Sequence, residues 1–202
     1  MRKFSLVALL LLFCGTFAVA QESKGELSGG WSFLHSDCGS GCTHSNVPTG
    51  FNLGGAYYFS RTIGLATDFD YHHKDISDVS AGTTGRTLGL HFGPRVKLPM
   101  GKVTPFGHAL FGFSHLTFQD PTLVKYCSQG SADCSDNAFS TKLGGGVDVG
   151  VSRHLGVRLG EFNYYLTKLD NTAASTSPIK PSALNGQAHQ NNYTFSAGIV
   201  IR

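Results

Sequence analysis

Apolar side chains recur at every second position along most of this chain. Residues 87–98 show the pattern clearly, because Leu88, Leu90 and Phe92 alternate with glycine and histidine. Successive side chains of a β-strand point to opposite faces, so this period predicts strands with one apolar face. The predicted strands cover residues 26–34, 51–59, 63–73, 87–98, 103–116, 139–151, 155–166 and 193–201.

Two of these segments depart from a simple period of two. Residues 103–116 carry apolar side chains on both faces, so the pattern does not predict which face is buried. In the seventh segment, continuing the alternation from Leu155 would place Glu161 on the apolar face. We therefore predict a β-bulge near Gly160, which would shift the phase and return Phe162 to the apolar face.

The connections between the segments alternate in length. Tight turns follow the second, fourth and sixth segments, whereas long polar loops follow the first, third, fifth and seventh. Membrane barrels have this arrangement, with an even number of antiparallel strands, short periplasmic turns and longer outer loops. Each segment is also close to the 9–11 residues that a tilted strand needs to cross a bilayer. The chain is therefore predicted to be all-β, an eight-stranded antiparallel up-and-down transmembrane β-barrel.

A soluble barrel with an apolar interior is the alternative. The face opposite the apolar one carries charged groups and many glycines, which would leave a soluble barrel without an apolar core. In lipid the apolar face points outward, and a narrow eight-stranded interior has room only for side chains. Buried charges need partners, so we expect an interior polar network. Its candidate members are Asp68, Asp70, His91, Arg95, Asp148 and Arg158.

The turn at residues 152–154 predicts the register of the sixth and seventh segments. Antiparallel pairing about this turn places Asp148 opposite Arg158 on the inward face. Directly opposed side chains have Cβ atoms ~4.5–5.5 Å apart, within reach of an ion pair. The same reasoning for the third and fourth segments places Asp68 near His91 or Arg95.

Composition excludes several other classes. The 202 residues include 26 Gly and 15 Phe, and 14% are charged, against roughly 25% in an average soluble domain. This aromatic content argues against a disordered chain, and the glycine content argues against a helical bundle. The net charge of +3 comes without a concentrated basic face, so no nucleic-acid partner is expected.

The first residues have the form of an export signal. Arg2 and Lys3 precede an apolar core, and Ala18-Val19-Ala20 provides small residues before a cleavage site. We predict a signal peptide over residues 1–20 and one barrel domain over residues 21–202. An uncleaved anchor is less favoured because the apolar run is short, and a lipoprotein signal at Cys14 is less favoured because bulky Phe13 precedes it.

Four cysteines remain after that signal, and an oxidising compartment favours disulfides among them. Three pairings are possible, and proximity favours the local pairs Cys38–Cys42 and Cys127–Cys134. A zinc site using His35, Cys38, Cys42 and His44 is the alternative for the first pair. We expect neither a metal nor a cofactor.

Catalytic chemistry has weak support. His44 and Ser45 are adjacent, so their side chains would point apart, and no acid lies nearby to orient the histidine. The run His72-His73-Lys74-Asp75 lies at the outer end of the third segment. Contact with water at the rim of the barrel is sufficient to explain these polar side chains. We therefore expect no catalytic residues and no enzyme activity.

Several short motifs resemble those of the small OmpA/OmpX-like outer-membrane β-barrel superfamily. They are Gly93-Pro94-Arg95, Thr104-Pro105-Phe106, Gly112, Gly144-Gly145-Gly146-Val147-Asp148, Ser152-Arg153-His154, Arg158 and Asn192-Tyr193-Thr194-Phe195-Ser196-Ala197-Gly198. The resemblance covers the mature chain, although the sequence ends in Arg202 where such chains usually have an aromatic residue.

This resemblance implies a location in the bacterial outer membrane, in contact with its lipid. We expect a monomer with a structural or surface-interaction role, in which the outer loops contact an extracellular protein or surface ligand. The alternatives are a narrow or gated pore and, less favoured, an enzyme at the outer rim.

Overall fold

Eight long strands form a closed sheet in the computed structural model, which describes residues 24–36, 46–75, 84–119, 133–168 and 189–202. Each long strand pairs antiparallel with the next one, and the last pairs back with the first. The strands are β1 (Gly25–His35), β2 (Asn46–Val47), β3 (Thr49–Tyr58), β4 (Ile63–Asp75), β5 (Thr84–Lys97), β6 (Val103–Gln119), β7 (Asp133–Gly150), β8 (Leu155–Lys168) and β9 (His189–Ile201). The predicted eight-stranded antiparallel barrel is confirmed.

The two-residue strand β2 extends the ladder of β3 along β1. Leu34 pairs with Val47, but the register has moved by one residue from the pairing of Trp31 with Phe51. Pro48 lies at this step, where its missing N–H would interrupt a continuous ladder. The indole N–H of Trp31 donates to the Pro48 carbonyl oxygen at 2.8 Å, and this hydrogen bond links β1 to the chain between β2 and β3.

The strands on one side of the barrel are longer than predicted. The strand β6 has 17 residues and β7 has 18, and their pairing continues as far as Gln119 opposite Asp133. The outer part of β7 carries polar, exposed side chains such as Ser135 and Asn137. These positions show no apolar alternation, so the sequence pattern marks only the apolar part of a longer hydrogen-bonded ladder.

The two faces of the wall differ sharply in chemistry. Large apolar side chains point outward, and Leu143 and Phe113 are 64% and 67% exposed. Among the buried side chains of the described residues, polar and charged ones outnumber apolar ones. A water-soluble fold has the reverse distribution, whereas a lipid-facing barrel requires this one. No helix in the described ranges is long and apolar enough to cross a membrane.

The ambiguous pattern of β6 has a simple structural cause. Phe106, Leu110 and Leu116 are apolar but point into the lumen, on the same face as Ser114. Phe111 points outward into the apolar exterior. Both faces of this strand are therefore apolar in part, which removes the period of two from the sequence.

The predicted bulge in β8 is confirmed. Asp148 pairs with Arg158 but Val147 pairs with Gly160, so β8 has one residue more than β7 at this point. The pairing of β8 with β9 shifts between Arg158 and Glu161 as well. The extra residue turns Glu161 into the lumen and leaves Phe162 exposed on the outer face.

Aromatic side chains are distributed more widely than membrane interfaces alone would require. Trp31 and Tyr57 are exposed on the outer face, and their amphipathic rings suit the headgroup level. Phe92 and Phe111, however, form a cross-strand pair near the middle of β5 and β6, and both are exposed. Phenylalanine has no polar tip, so it suits the hydrocarbon as well as the interface.

Tight turns join the strands at the end where the described chain begins and ends. The turn after β5 contains Gly101, whose φ of 65° lies in the left-handed region that favours glycine. Met100 and Val103 close this turn by reciprocal backbone hydrogen bonds. By the usual orientation of such barrels, this end faces the periplasm.

Candidate functional site in the barrel interior

An ion-pair network occupies the lumen near its periplasmic half. Arg158 contacts Asp148 in a two-point arrangement, with Nε–Oδ1 of 2.8 Å and Nη2–Oδ2 of 3.2 Å. Its Nη1 also donates to Glu161 Oε2 at 2.6 Å. Residues three apart on a regular strand point to opposite faces, so the bulge in β8 is what allows Arg158 and Glu161 to meet.

A second arginine joins this network from β5. The Nη2 atom of Arg95 lies 3.5 Å from Asp148 Oδ2. The guanidinium carbons of Arg95 and Arg158 lie 3.8 and 4.4 Å from the centre of the Phe106 ring. An aromatic face attracts cations, so this inward phenylalanine stabilises two guanidinium groups that share one carboxylate.

Lys142 bridges the lumen above this group. Its Nζ donates to Asp68 Oδ1 at 2.5 Å and also to Asp70 Oδ1. Lys142 belongs to β7 and the two aspartates to β4, which are not neighbouring strands, so the contact crosses the barrel. All three side chains are buried.

This contact gives Asp68 a partner that the sequence did not predict. Asp68 is opposite His91 in the register of β4 and β5, as expected, but its ion-pair partner is Lys142. Arg95 contacts Asp148 instead. Counting residues across a short turn relates neighbouring strands only, whereas a narrow lumen also brings together side chains from opposite walls.

Asp68, Asp70 and His91 also lie close enough together to hold a metal ion, with ligand atoms within 4.8 Å of one another. The Lys142 ammonium, however, already contacts both carboxylates. His91 Nε2 in turn is hydrogen-bonded to Ser140 Oγ at 2.8 Å. These contacts give the three side chains a role in packing the lumen.

A chain of hydroxyl groups continues from His91 toward the outer end. Ser114 Oγ donates to Ser140 Oγ at 2.8 Å and is hydrogen-bonded to the Tyr165 hydroxyl as well. The Tyr165 ring meets the His91 ring edge-on, with centroids 5.2 Å apart. Tyr165 is fully buried, so this layer fills the lumen with an aromatic side chain.

The outer end holds a serine–histidine pair that the sequence did not indicate. Ser32 Oγ and His72 Nε2 are hydrogen-bonded at 3.0 Å, which is the spacing of a nucleophile and its base. The two residues are 2% and 1% exposed. His72 Nδ1 has no hydrogen-bond partner within the described ranges, so the third group that orients a catalytic histidine is missing from this pair.

The remaining rim candidates are separate from that pair. His73 Nε2 lies 3.2 Å from Asp75 Oδ1, and Asp75 is exposed. His35 Nδ1 is hydrogen-bonded to Asn46 Oδ1 at 2.7 Å. His44 and Ser45 lie outside the described residues, as do Cys38, Cys42 and Cys127 and the predicted signal segment, residues 1–20.

Glu26 is the central group at the periplasmic end. It contacts Lys97 Nζ at 2.7 Å and Arg202 Nε at 3.2 Å. The Tyr58 hydroxyl donates to Glu26 at 3.3 Å, and Lys97 Nζ lies 3.6 Å from the centre of the Tyr58 ring. Arg202 Nη2 also lies 3.7 Å from Asp148 Oδ2, so the terminal arginine links this layer to the network above.

Several members of the interior were therefore missing from the predicted network. They are Glu26, Lys97, His108, Lys142, Glu161 and Arg202. The alternation of side chains on β7 already placed Lys142 on the inward face. Its partners could not be derived in the same way, because contacts across a lumen depend on how strands tilt and stagger around the barrel.

The closed wall, apolar exterior and ionised interior define an integral β-barrel protein of a bacterial outer membrane. Residues 4–200 match the family model described as the outer membrane protein beta-barrel domain. The chain belongs to this family, and its environment is the lipid of the outer membrane. A search of curated protein sequences gives no significant match.

Solved structures of outer-membrane proteins share the architecture. Neisserial surface protein A is 13% identical, with a TM-score of 0.56 over 88% of this chain and 94% of that one. OprG from Pseudomonas aeruginosa is 14% identical over 88% and 94%, with a TM-score of 0.49. Ail of Yersinia pestis is 16% identical over 87% and 95%, with a TM-score of 0.46. At such low identities the likeness concerns the fold alone.

Proposed function

We propose that the protein is a non-conducting, structural or surface-interaction barrel whose outer loops make its specific contacts. The observation that carries this proposal is the filled lumen. The bridge from Lys142 to Asp68 and Asp70 crosses the interior at one level, and the contact of Arg158 with Asp148 occupies it at another. An ion passing through would have to separate buried, paired charges, which is costly.

The shape of the barrel supports a role at the outer surface. The ladders of β6 and β7 continue to Gln119 and Asp133, so these two strands extend beyond the apolar part of the wall at the outer end. The sequence places its longest connections, residues 120–132 and 169–188, at this end. Loops on a rigid scaffold are frequent carriers of binding function. Their partner would be an extracellular protein or surface ligand.

A monomer is the assembly that we propose. Pairing of β1 with both β3 and β9 closes the sheet, so the long strands leave no free edge for a second copy. The local disulfides Cys38–Cys42 and Cys127–Cys134 remain part of the proposal, since cross-links at exposed loops restrict unfolding and proteolysis.

Planar-bilayer recording tests the non-conducting barrel directly. The refolded protein should give no discrete conductance steps, and Lys142→Ala, which removes the bridge across the lumen, should be the variant in which leakage appears. Regular steps in the unmodified protein would contradict the proposal. Folding of both proteins is checked by heat-modifiable gel mobility.

The surface role needs a separate measurement. Cells displaying the barrel are tested for adhesion to a panel of immobilised proteins and glycans, with and without replacement of residues 169–188 by a short Gly-Ser linker. The proposal expects adhesion to fall with the linker while the barrel stays folded. A matched control carries substitutions only in the periplasmic turn at residues 98–102. Equal adhesion of all three proteins would argue against a role for this loop.

A narrow or gated pore is the second candidate. It is favoured by the polar lumen and by a cavity of about 1150 Å³ at its periplasmic end. The same bilayer recordings distinguish it, because a gated pore would open intermittently in the unmodified protein.

We also propose that the protein is not an enzyme. The support is the burial of Ser32 and His72 and the missing orienting group at His72 Nδ1 in the described part of the chain. Mass analysis of lipid A from cells with and without the protein tests this, and a change in its acyl chains that depends on Ser32 would overturn it.

A further inference from the structure

Beside the Lys142 bridge, the lumen contains ligand atoms that the packing contacts do not use. Lys142 contacts the Oδ1 atoms of Asp68 and Asp70, and Ser140 is hydrogen-bonded to Nε2 of His91. Asp70 Oδ2 and His91 Nδ1 are both buried and have no hydrogen-bond partner in the described part of the chain. In native structures a buried polar atom has a partner, which is protein, water or an ion.

These two atoms face the same place beside Gly89. In the register of β4 and β5, Asp68 is opposite His91 and Asp70 is opposite Gly89. One ligand atom from each of Asp68, Asp70 and His91 lies within 4.8 Å of the other two. A Cβ added at Gly89 would meet Asp70 Oδ2 and would lie 2.8 Å from His91 Cε1, the ring carbon bonded to Nδ1. The glycine therefore leaves the room in which the free oxygen and the imidazole face each other.

The charges of this group are not balanced. Lys142 is the one cationic side chain that the described residues place in ion-pair contact with Asp68 or Asp70, so one ammonium faces two carboxylates. All three side chains are buried. A buried carboxylate without a full counter-charge is costly, and a second cation at this place would supply that charge.

We propose that Asp68, Asp70 and His91 bind a divalent transition-metal ion, with Asp70 Oδ2 and His91 Nδ1 as its principal ligands. Carboxylate oxygens and imidazole nitrogens bind Zn²⁺ and other first-row ions at ~2.0–2.2 Å. Ligands of a tetrahedral ion are roughly 3.4 Å apart at such bond lengths, so small side-chain rotations would close the site. Water or the Tyr165 hydroxyl, which lies 3.0 Å from the same Cβ position, would complete the coordination. The ion would join β4 to β5 inside the lumen.

Lys142 determines how tightly such an ion binds. Its ammonium contacts Asp70 Oδ1, whereas Oδ2 of the same carboxylate is free, so the two cations would bind different oxygens. Two cations on one carboxylate repel each other. Replacing Lys142 with methionine removes the competing cation and should therefore tighten metal binding. A cluster that only fills the lumen would bind no metal ion in either protein.

The experiment uses the untagged full barrel, refolded in detergent with Co²⁺ as a spectroscopic probe. Because the site is buried, the ion is present during refolding, and the excess is then removed with a chelating resin. Retained cobalt is counted by elemental mass spectrometry, and its visible absorption reports the ligand geometry. The test variant is His91→Gln. The matched control is His108→Gln, since His108 is also buried in the lumen but its Nε2 is hydrogen-bonded to Asn163 at 2.7 Å.

The unmodified protein and the control should each retain a single cobalt ion in this site. Binding should weaken by about tenfold or more in His91→Gln and tighten by a similar factor in Lys142→Met. The proposal is overturned if the unmodified barrel retains no cobalt, if His91→Gln retains as much as the control, or if Lys142→Met binds no more tightly. Heat-modifiable gel mobility checks folding, and Asp70→Asn replaces His91→Gln should that variant not fold.

Discussion

Asp148 and Arg158 lie opposite each other on β7 and β8 and form a contact through two pairs of atoms. Each has further partners, because Asp148 also lies near Arg95 and Arg158 donates to Glu161. The pair is therefore the point where the charged residues of three strands meet. Its register follows from the short turn at residues 152–154 together with the bulge that comes after Arg158.

Removing either partner of this pair should destabilise the barrel. Asp148→Ala and Arg158→Ala each leave a buried charge with fewer partners, at an expected cost of about 3–5 kcal/mol. The double variant should lose less than the sum of the two, because neither charge then remains uncompensated. Urea unfolding in lipid vesicles, followed by gel mobility, gives the free energies of unfolding.

The control for this cycle is Val149→Ala combined with Arg158→Ala, since Val149 faces away from the lumen. The effects of these two substitutions on the free energy of unfolding should be additive. Additivity of the charged pair as well would show that the two side chains do not interact.

The sequence was most informative where a short turn or a strict alternation fixed the geometry. The alternation around His91 assigned inward and outward faces, and the conflict at Glu161 located the bulge. The sequence was least informative where contacts depend on the closure of the barrel. The ion pair between Lys142 and Asp68 joins opposite walls, and its geometry depends on strand tilt and stagger, which periodicity does not encode. For Phe106, an apolar residue in a polar lumen, the pattern itself was ambiguous.

Lys142→Met should destabilise the barrel by a similar amount, about 3–5 kcal/mol, because it leaves Asp68 and Asp70 buried near each other without their cation. Adding Asp70→Asn should recover part of that loss by removing one of the two like charges. Lys97→Met serves as the control, because Glu26 keeps Arg202 as a partner and Lys97 is nearer to water. Its cost should be clearly smaller. Equal losses in the two lysine variants would argue that the bridge across the lumen has no special role.

Trp31 should lie in contact with lipid near the outer interface. It is 49% exposed on the outer face, and its N–H donates to Pro48 at the step between β2 and β3. Tryptophan prefers the headgroup level, so bromines near the start of the acyl chain should quench its fluorescence more than bromines deep in the bilayer. The double variant Trp31→Phe with Leu143→Trp moves the single tryptophan to an exposed position further from the outer interface. Bromines deep in the bilayer should then quench its fluorescence more. Absence of quenching at every depth would place Trp31 in the lumen and reverse the faces of β1.

Two glycines on β6 should respond in opposite ways to alanine. A Cβ added at Gly112 would lie 1.9 Å from the Leu90 carbonyl oxygen, on the neighbouring strand, so the backbone would have to move. Overpacking of this kind costs about 1–3 kcal/mol. At Gly107 the nearest atom, the Gly144 carbonyl oxygen, is 3.6 Å away, which is an ordinary contact. Gly107→Ala should therefore be neutral or stabilise by up to about 1 kcal/mol, since alanine restricts the unfolded chain. Urea unfolding of the two variants side by side measures the difference. If Gly112→Ala were tolerated as well as Gly107→Ala, strands β5 and β6 would be further apart at this position than the structure places them.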